Sequence, residues 1–277
     1  SAPGLARRIG TRLSGGGCAT RFRAMLISVV TAVYNRAGTI AEAMASVQAQ
    51  DYPHVEHVIQ DGGSTDGTCA AIARVADSRT RVSSGADAGL YDAINRGLAV
   101  ATGEVVGLVH SDDFFAAPDI LSDVAAVFAD ATVDAVYGDL DYVSAADTGR
   151  TIRRWRSGPF GPDRLASGWM PPHPTLFLRR AVFERHGPYD TRYRISADYD
   201  AILRYFSEPG FRAVHIPKVF VKMRVGGESN GSVGRILRKS HEDYRALRAN
   251  GVGGLGTLAR KNLAKIPQFV ALGRSGQ

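Results

Sequence analysis

Apolar residues in this chain come in short unbroken runs, separated by stretches of helical period. Residues 26–31 (LISVVT) are mostly apolar and β-branched and 105–109 (VVGLV) are apolar throughout, while 55–60 (VEHVIQ) reads as a further strand in which polar residues stand among the apolar ones. Such runs, bounded by polar residues, predict strands buried on both faces of a parallel sheet. Between them Ile40, Met44 and Val47 keep helical spacing, as do Ile72 with Val75, and Leu90 with Ile94 and Leu98. Thr39-Ile-Ala-Glu42 has the form of a capping box opening the first helix, and the DYP at 51–53 stops it. With a short strand at 81–83, the pattern reads β-α-β-α-β-α-β. That alternation predicts a doubly wound parallel sheet.

The second half is less regular. A helix carrying Ile120, Leu121, Val124 and Phe128 follows Pro118, which suits a first turn. Residues 134–142 begin apolar and then alternate, as expected of a strand nearing a sheet edge, and 151–156 (TIRRWR) can pair with them antiparallel. Residues 158–174 read as loop, 175–179 as a strand and 181–186 as a short helix. Residues 193–200 (YRISADYD) lead into a helix with Ile202, Leu203 and Phe206. Two late strands are expected at 211–216 and 219–224, with Pro217 between them or at an edge. The expected organisation is a flexible basic leader over 1–24, one domain over 25–232, and a basic helical segment over 233–277.

Composition adds a few limits. A hydrophobic content of 44% suits a sizeable soluble core. No apolar run approaches the roughly 18 residues that span a bilayer. The first 24 residues hold no apolar stretch of the signal-peptide kind. Cys18 and Cys69 give neither a disulfide framework nor metal-ligand spacing, which points to a reducing, cytoplasmic compartment. The net charge of +7 divides into +5 for 1–24, −6 for 25–221 and +8 for 222–277. Basic ends on an acidic body suit solubility, an anionic membrane surface, a lipid-phosphate substrate or nucleic acid.

In open α/β sheets a ligand binds outside the carboxyl ends of the strands. There the chain has 61–68 (DGGSTDGT), a Gly-rich turn able to approach a phosphate or sugar closely. It also has His110-Ser111-Asp112-Asp113. Adjacent aspartates repel unless they are solvated or hold a cation. A divalent metal carrying a phosphorylated ligand and a turn that caps the next helix are both consistent with the pair.

TAVYNR at 31–36, DGGSTDGT at 61–68, GLYDAINRG at 89–97, ATGE at 101–104 and SDD at 111–113 follow one another in a set order. With PPHPTLF at 171–177, SADYD at 196–200 and GGESN at 226–230, this order resembles family 2 glycosyltransferases of the GT-A type, over roughly 25–232. It is similar in particular to bacterial polysaccharide and glycolipid transferases. The resemblance implies a Rossmann-like, mostly parallel sheet flanked by helices, with a smaller antiparallel acceptor-side part. It implies transfer of a sugar from a nucleoside-diphosphate sugar to a hydroxyl of a glycan or lipid-linked acceptor. Mn²⁺ or Mg²⁺ would assist the departing diphosphate, and a base would take the acceptor proton.

The resemblance gives Asp198 the role of base, with Asp200 competing, and Asp61 the recognition of the nucleotide base. Thr31, Val33, Asp87, Tyr91, Asn95, Ser111, Asp112 and His173 join the substrate and nucleotide set. Asp112, Asp113 and His110 are the metal candidates. The histidine stands where the family's D-x-D often has its first aspartate; imidazole suits Mn²⁺ better than Mg²⁺. A base without a partner nucleophile implies direct displacement with inversion. The GGES at 226–229 reads as a loop able to close over the diphosphate. The expected location is the cytoplasm, with peripheral contact to the inner membrane face through the basic C-terminal segment.

Three rivals stand against this. A NAD-binding protein needs G-x-G-x-x-G after the first strand, where this chain has TAVYNRAG. A nucleic-acid-binding protein is disfavoured by the acidic body and by the lack of aromatic-interleaved basic motifs, so no nucleic acid partner is expected. The third is a non-catalytic module that binds sugar nucleotides.

Overall fold

The computed structural model describes residues 25–225 and 233–263. The leader over 1–24 and the loop at 226–229 lie outside the described residues. Strands β1 (Ile27–Val33), β2 (Val55–Asp61), β3 (Thr80–Ser84) and β4 (Val105–Leu108) form a parallel set in the order β3-β2-β1-β4. Helices α1 (Ile40–Gln48), α2 (Thr68–Val75) and α3 (Leu90–Val100) connect them. β1, β2 and β4 are buried throughout, β2 with Glu56, His57, Gln60 and Asp61 buried among its apolar residues, whereas β3 lies at the edge and is largely exposed. The register aligns Val33 with Asp61 and Asp61 with Ser84, so three strands end on one line.

The sheet continues as β4-β8-β6-β9-β5, with β8 (Leu176–Arg179), β6 (Ala135–Ser144), β9 (Ala213–Val225) and β5 (Phe114–Phe115). β7 (Thr151–Trp155) pairs antiparallel with the second half of β6. The mostly parallel sheet with a smaller antiparallel part is therefore the observed architecture. Two apolar layers cover it. One gathers Val30, Val58, Ile94, Leu108 and Tyr137 with helix α7 (Ala197–Phe206), and the other gathers Val29, Val105, Phe177 and Phe220 with helix α4 (Ile120–Phe128). Gly107 is fixed by this packing: a Cβ there would stand 2.3 Å from the Phe177 ring.

Several local expectations change. β6 is interior rather than near an edge, because β8 and then β7 flank one side and β9 the other. The two late strands are one, β9. Its register shifts around Gly138, and 216–218 carry no ladder pairing, so Pro217 sits where no N–H is needed. The presumed loop at 158–174 contains α5 (Pro162–Ala166) and the start of a 3₁₀ turn at His173–Thr175. The capping box does not form: Thr39 makes no side-chain cap, its hydroxyl donates to the Ser111 carbonyl at 2.9 Å, and Glu42 pairs with Arg224. Both residues serve tertiary contacts instead.

Helix α6 (Arg180–His186) follows β8 directly, and α8 (Val233–Ala249) and α9 (Leu255–Leu263) close the described chain. Ala246 and Leu247 of α8 are fully buried in the same cluster as Tyr199 and Ile202 of α7. The described part of the C-terminal segment is thus packed onto the domain.

Candidate active site

The carboxyl ends of β1, β2 and β3 are laced together by short side chains. Asp61 is buried, and its Oδ2 accepts from the Gly63 amide at 3.0 Å, the Ser64 amide at 3.1 Å, the Ser84 hydroxyl at 2.6 Å and the Cys69 thiol at 3.4 Å. Burial pushes its carboxyl up, but hydrogen bonds from Ser64, Ser84 and Cys69 outweigh that and hold it below the usual range. Oδ1 carries only a 3.3 Å bond from Ser64. Asn35, at φ 50, receives the Thr65 amide on its Oδ1 at 2.9 Å and donates its own amide to Ser64 at 2.8 Å. Asp66 accepts from the Ala37 and Thr68 amides. The two turns after β1 and β2 form one unit.

Asp87 closes this edge from the loop before α3. Its Oδ1 accepts the Gly89 amide at 2.9 Å, and its Oδ2 lies so near Gly62 that an added Cβ would stand 2.4 Å away. Tyr34, 57% exposed, borders the same glycine. A polar floor beside an exposed aromatic face suits a nucleoside.

At the end of β4 the two aspartates part. Asp113 turns inward and is 1% exposed. Its Oδ1 accepts the Arg224 amide at 3.1 Å, and its Oδ2 is buried without a hydrogen-bond partner. Burial, with the neighbouring Asp112 charge, pushes its carboxyl well above the ordinary range. Asp112 keeps a quarter of its side chain exposed, and its Oδ2 stands 4.0 Å from Arg36 Nε. The backbone between them is pinned from below. Thr39 holds the Ser111 carbonyl, and the Arg224 guanidinium holds the Asp112 carbonyl while pairing with Glu42.

His110 faces the opening of α7. Burial pushes its imidazole below the usual value, and the Asp112 and Asp198 carboxylates pull against that shift. Its ring centroid lies 6.1 Å from that of His173. His173 is buried, shares a 2.8 Å hydrogen bond with the Tyr189 hydroxyl, and is held at about 4 by burial. Asp198 accepts on Oδ1 from the Tyr91 hydroxyl at 3.2 Å and the Tyr199 amide at 2.8 Å; neither bond uses Oδ2. The Tyr91 hydroxyl also meets the Ile195 carbonyl at 2.9 Å. Burial and the Asp198 charge keep the Tyr91 phenol well above its usual value, so it remains a donor. Asp200 lies elsewhere on the helix, bonded to Arg204 at 2.9 Å and Asn250 at 3.0 Å.

Thus Asp61, Asp87 and the backbone end of Val33 mark one side, and Asp112, His110, His173, Tyr91 and Asp198 the other. Three expected residues hold structure at these positions. The Thr31 hydroxyl donates to the Val109 carbonyl at 2.8 Å inside the sheet. Asn95 exchanges two hydrogen bonds with the backbone of Tyr189. Ser111 is 7% exposed, with its carbonyl tied to Thr39. Sequence reasoning missed Tyr34, Arg36, Ser84 and Tyr189. The first two lie inside TAVYNR and were legible there as exposed residues after a buried strand. Ser84 and Tyr189 gave no local signal.

Among the described residues no group of three or more His, Cys, Asp or Glu could hold a metal alone. The donor set fits an ion that arrives with its own phosphate oxygens, held through one carboxylate such as Asp112, as hard divalent cations commonly are. The inward Asp113 does not fit as a ligand beside Asp112.

The model of the family described as "Glycosyl transferase family 2" matches residues 28–187. A PGL/p-HBAD biosynthesis glycosyltransferase of Mycobacterium bovis is 34% identical over 222 residues, covering 78% of this chain and 84% of that protein. An uncharacterized glycosyltransferase of Nostoc is 35% identical over 187 residues, covering 63% of this chain and 57% of that protein. Among solved structures, a mannosyltransferase of Pyrobaculum calidifontis, in complex with GDP-Man and Mn²⁺, superposes with a TM-score of 0.63 at 22% identity, covering 91% of this chain and 73% of that one. The S. aureus TarS 1–349 complex with UDP-GlcNAc gives 0.61 at 21% identity, covering 82% and 66%.

Proposed function

The chain belongs to glycosyl transferase family 2, and from that premise we propose that it transfers a sugar, with inversion, from a nucleoside-diphosphate sugar to a hydroxyl of a glycan or lipid-linked acceptor. Asp198 is the base. The observation that carries this reading is that its carboxylate, at the mouth of α7, is fixed through Oδ1 and keeps Oδ2 for a proton. Taking the hydroxyl proton as the oxygen attacks the anomeric carbon needs a carboxylate within hydrogen-bond reach. A rigid one is worth more than a mobile one.

The donor's nucleoside lies between Tyr34, Asp61 and Asp87, and its diphosphate extends toward Arg36 and Asp112. Asp61 recognises the base through Oδ1, the oxygen its own turn leaves least occupied. Mn²⁺ or Mg²⁺ held by Asp112, with His110 as a neutral second donor, would neutralise charge on the departing diphosphate. Tyr91 and His173 shape the junction between donor and acceptor. Exposed Ile236 and Leu237 of α8, next in sequence to Arg238, and exposed Leu255 and Leu263 of α9, which carries Arg260, support contact of these helices with an anionic lipid surface.

The deciding experiment is Asp198→Asn. Transfer should fall by about a thousandfold, with donor affinity within about twofold of the parent. An unchanged transfer rate would remove Asp198 as the base. Transfer that survives exhaustive chelation would remove the metal.

A further inference from the structure

Ile195 is held at both of its backbone polar groups. Its carbonyl takes the Tyr91 hydroxyl at 2.9 Å, and its amide donates to Glu242 Oε2 at 2.8 Å. The Ser196 amide donates to the same oxygen at 3.0 Å. Glu242 comes from α8, is 6% exposed, and sits at the N-terminal opening of α7, where the N-cap residue Ser196 makes no side-chain cap. A carboxylate there receives charge-assisted hydrogen bonds and faces the positive end of the helix dipole.

α8 is itself anchored so that this carboxylate has little freedom. Asp243 is 1% exposed and pairs with Lys261 Nζ at 2.9 Å and Lys239 Nζ at 3.4 Å. The Lys261 ammonium stands 2.9 Å from the centroid of the Tyr199 ring, the residue after Asp198. Asn250, just past the end of α8, bonds Asp200 at 3.0 Å. The contacts fall on residues 195, 196, 199 and 200, on both sides of Asp198 in the chain.

We infer that Glu242 is a positioning residue for transfer: it sets where the first turn of α7, and hence Asp198, stands relative to the acceptor hydroxyl. This rests on the reading of Asp198 as base. It makes the C-terminal helices part of the active site's frame.

The test measures kcat, acceptor KM and nucleotide dissociation constant for Glu242→Ala and Glu242→Gln. The alanine variant should lose about tenfold to a hundredfold in kcat, with nucleotide affinity within about twofold. The glutamine variant, which keeps an accepting oxygen, should recover much of that loss. An unchanged kcat in the alanine variant overturns the inference. So does a parallel fall of kcat and nucleotide affinity in both variants, since that would mark a general loss of folding. A double-mutant cycle with Asp198→Asn separates the two readings. If Glu242 acts through Asp198, its removal costs little more once Asp198 is gone. Full additivity overturns the positioning role and leaves the base standing, whereas full activity of Asp198→Asn alone sinks the base itself.

Discussion

At the ends of β1 to β3 the functional side chains are held by near neighbours, whereas at the start of α7 they are held from far away. Asp61 receives Gly63, Ser64 and Cys69, all within eight residues, plus Ser84 from the adjacent strand. Asp198 takes the amide of the next residue, but it is also held by Tyr91, 107 positions earlier in the chain, on a segment clamped by Glu242, which lies 46 positions beyond Ser196. On the proposed function, the difference follows from what each side does. A nucleotide is recognised by a fixed turn, most of whose holding contacts a Gly-rich sequence supplies locally. A base must be aimed at a second substrate, and only packed elements from several parts of the chain can aim it.

The sharpest way to break this comparison is the aspartate pair that joins the two sides. Asp112→Asn should lower transfer by about a hundredfold through lost electrostatic stabilisation of the leaving group. Asp113→Asn should keep most activity, because its carboxyl is buried and already held above the usual range. Steady-state kinetics of the two variants decide it; equal losses would return Asp113 to the site.

A smaller effect is expected at the nucleotide side. Asp61→Asn should weaken nucleotide binding about tenfold, the order of one charge-assisted hydrogen bond, with saturated turnover changed far less. Calorimetric titration with the nucleoside diphosphate reads the first number, and turnover at saturating donor reads the second. If turnover falls as much as affinity, the two sides are not separable in this way.

The smallest effect is on stability and touches one buried histidine on each side. His57, beneath Thr31, and His173 are both held at about 4, against an ordinary 6.5, by burial. Each is neutral in the fold, so the unfolded chain takes up a proton first as pH falls. Their stabilising contribution is full above 6.5 and is lost as pH falls through about 4. By pH 5.5 the loss is on the order of 1 kcal/mol per histidine, a few degrees in thermal midpoint. Melting curves at pH 7.5 and 5.5 test it, and His57→Gln should remove part of the difference. A midpoint independent of pH over that span would contradict the burial of both rings.

Much of this was legible in the chain itself, for a physical reason. Strands buried on both faces tend to be apolar, so β1 and β4 announced themselves, and β2 did so through Val55, Val58 and Ile59 despite the polar residues buried between them. The turns that follow must hold glycine and short polar side chains, so Asp61 and the pair Asp112 and Asp113 could be located as the residues at strand ends. The family resemblance of SADYD singled out Asp198, and the helical period indicated that Asp200 should face elsewhere.

Tertiary structure decided the rest, because it concerns partners with no fixed spacing. Which aspartate of the pair faces the cleft depended on Arg224, whose amide draws Asp113 inward. Thr39 and Glu42 have the spacing of a capping box, yet the loop after β4 competes for the hydroxyl and Arg224 for the carboxylate. Thr31 and Asn95 carry the right atoms for binding, but the sheet and the Tyr189 backbone use them. The sequence by itself determined the strands, their ends and the kinds of side chain gathered there. Only the packed fold determined which of those side chains face the cleft, since that depends on contacts between segments far apart in the chain, such as Glu242 at the foot of α7.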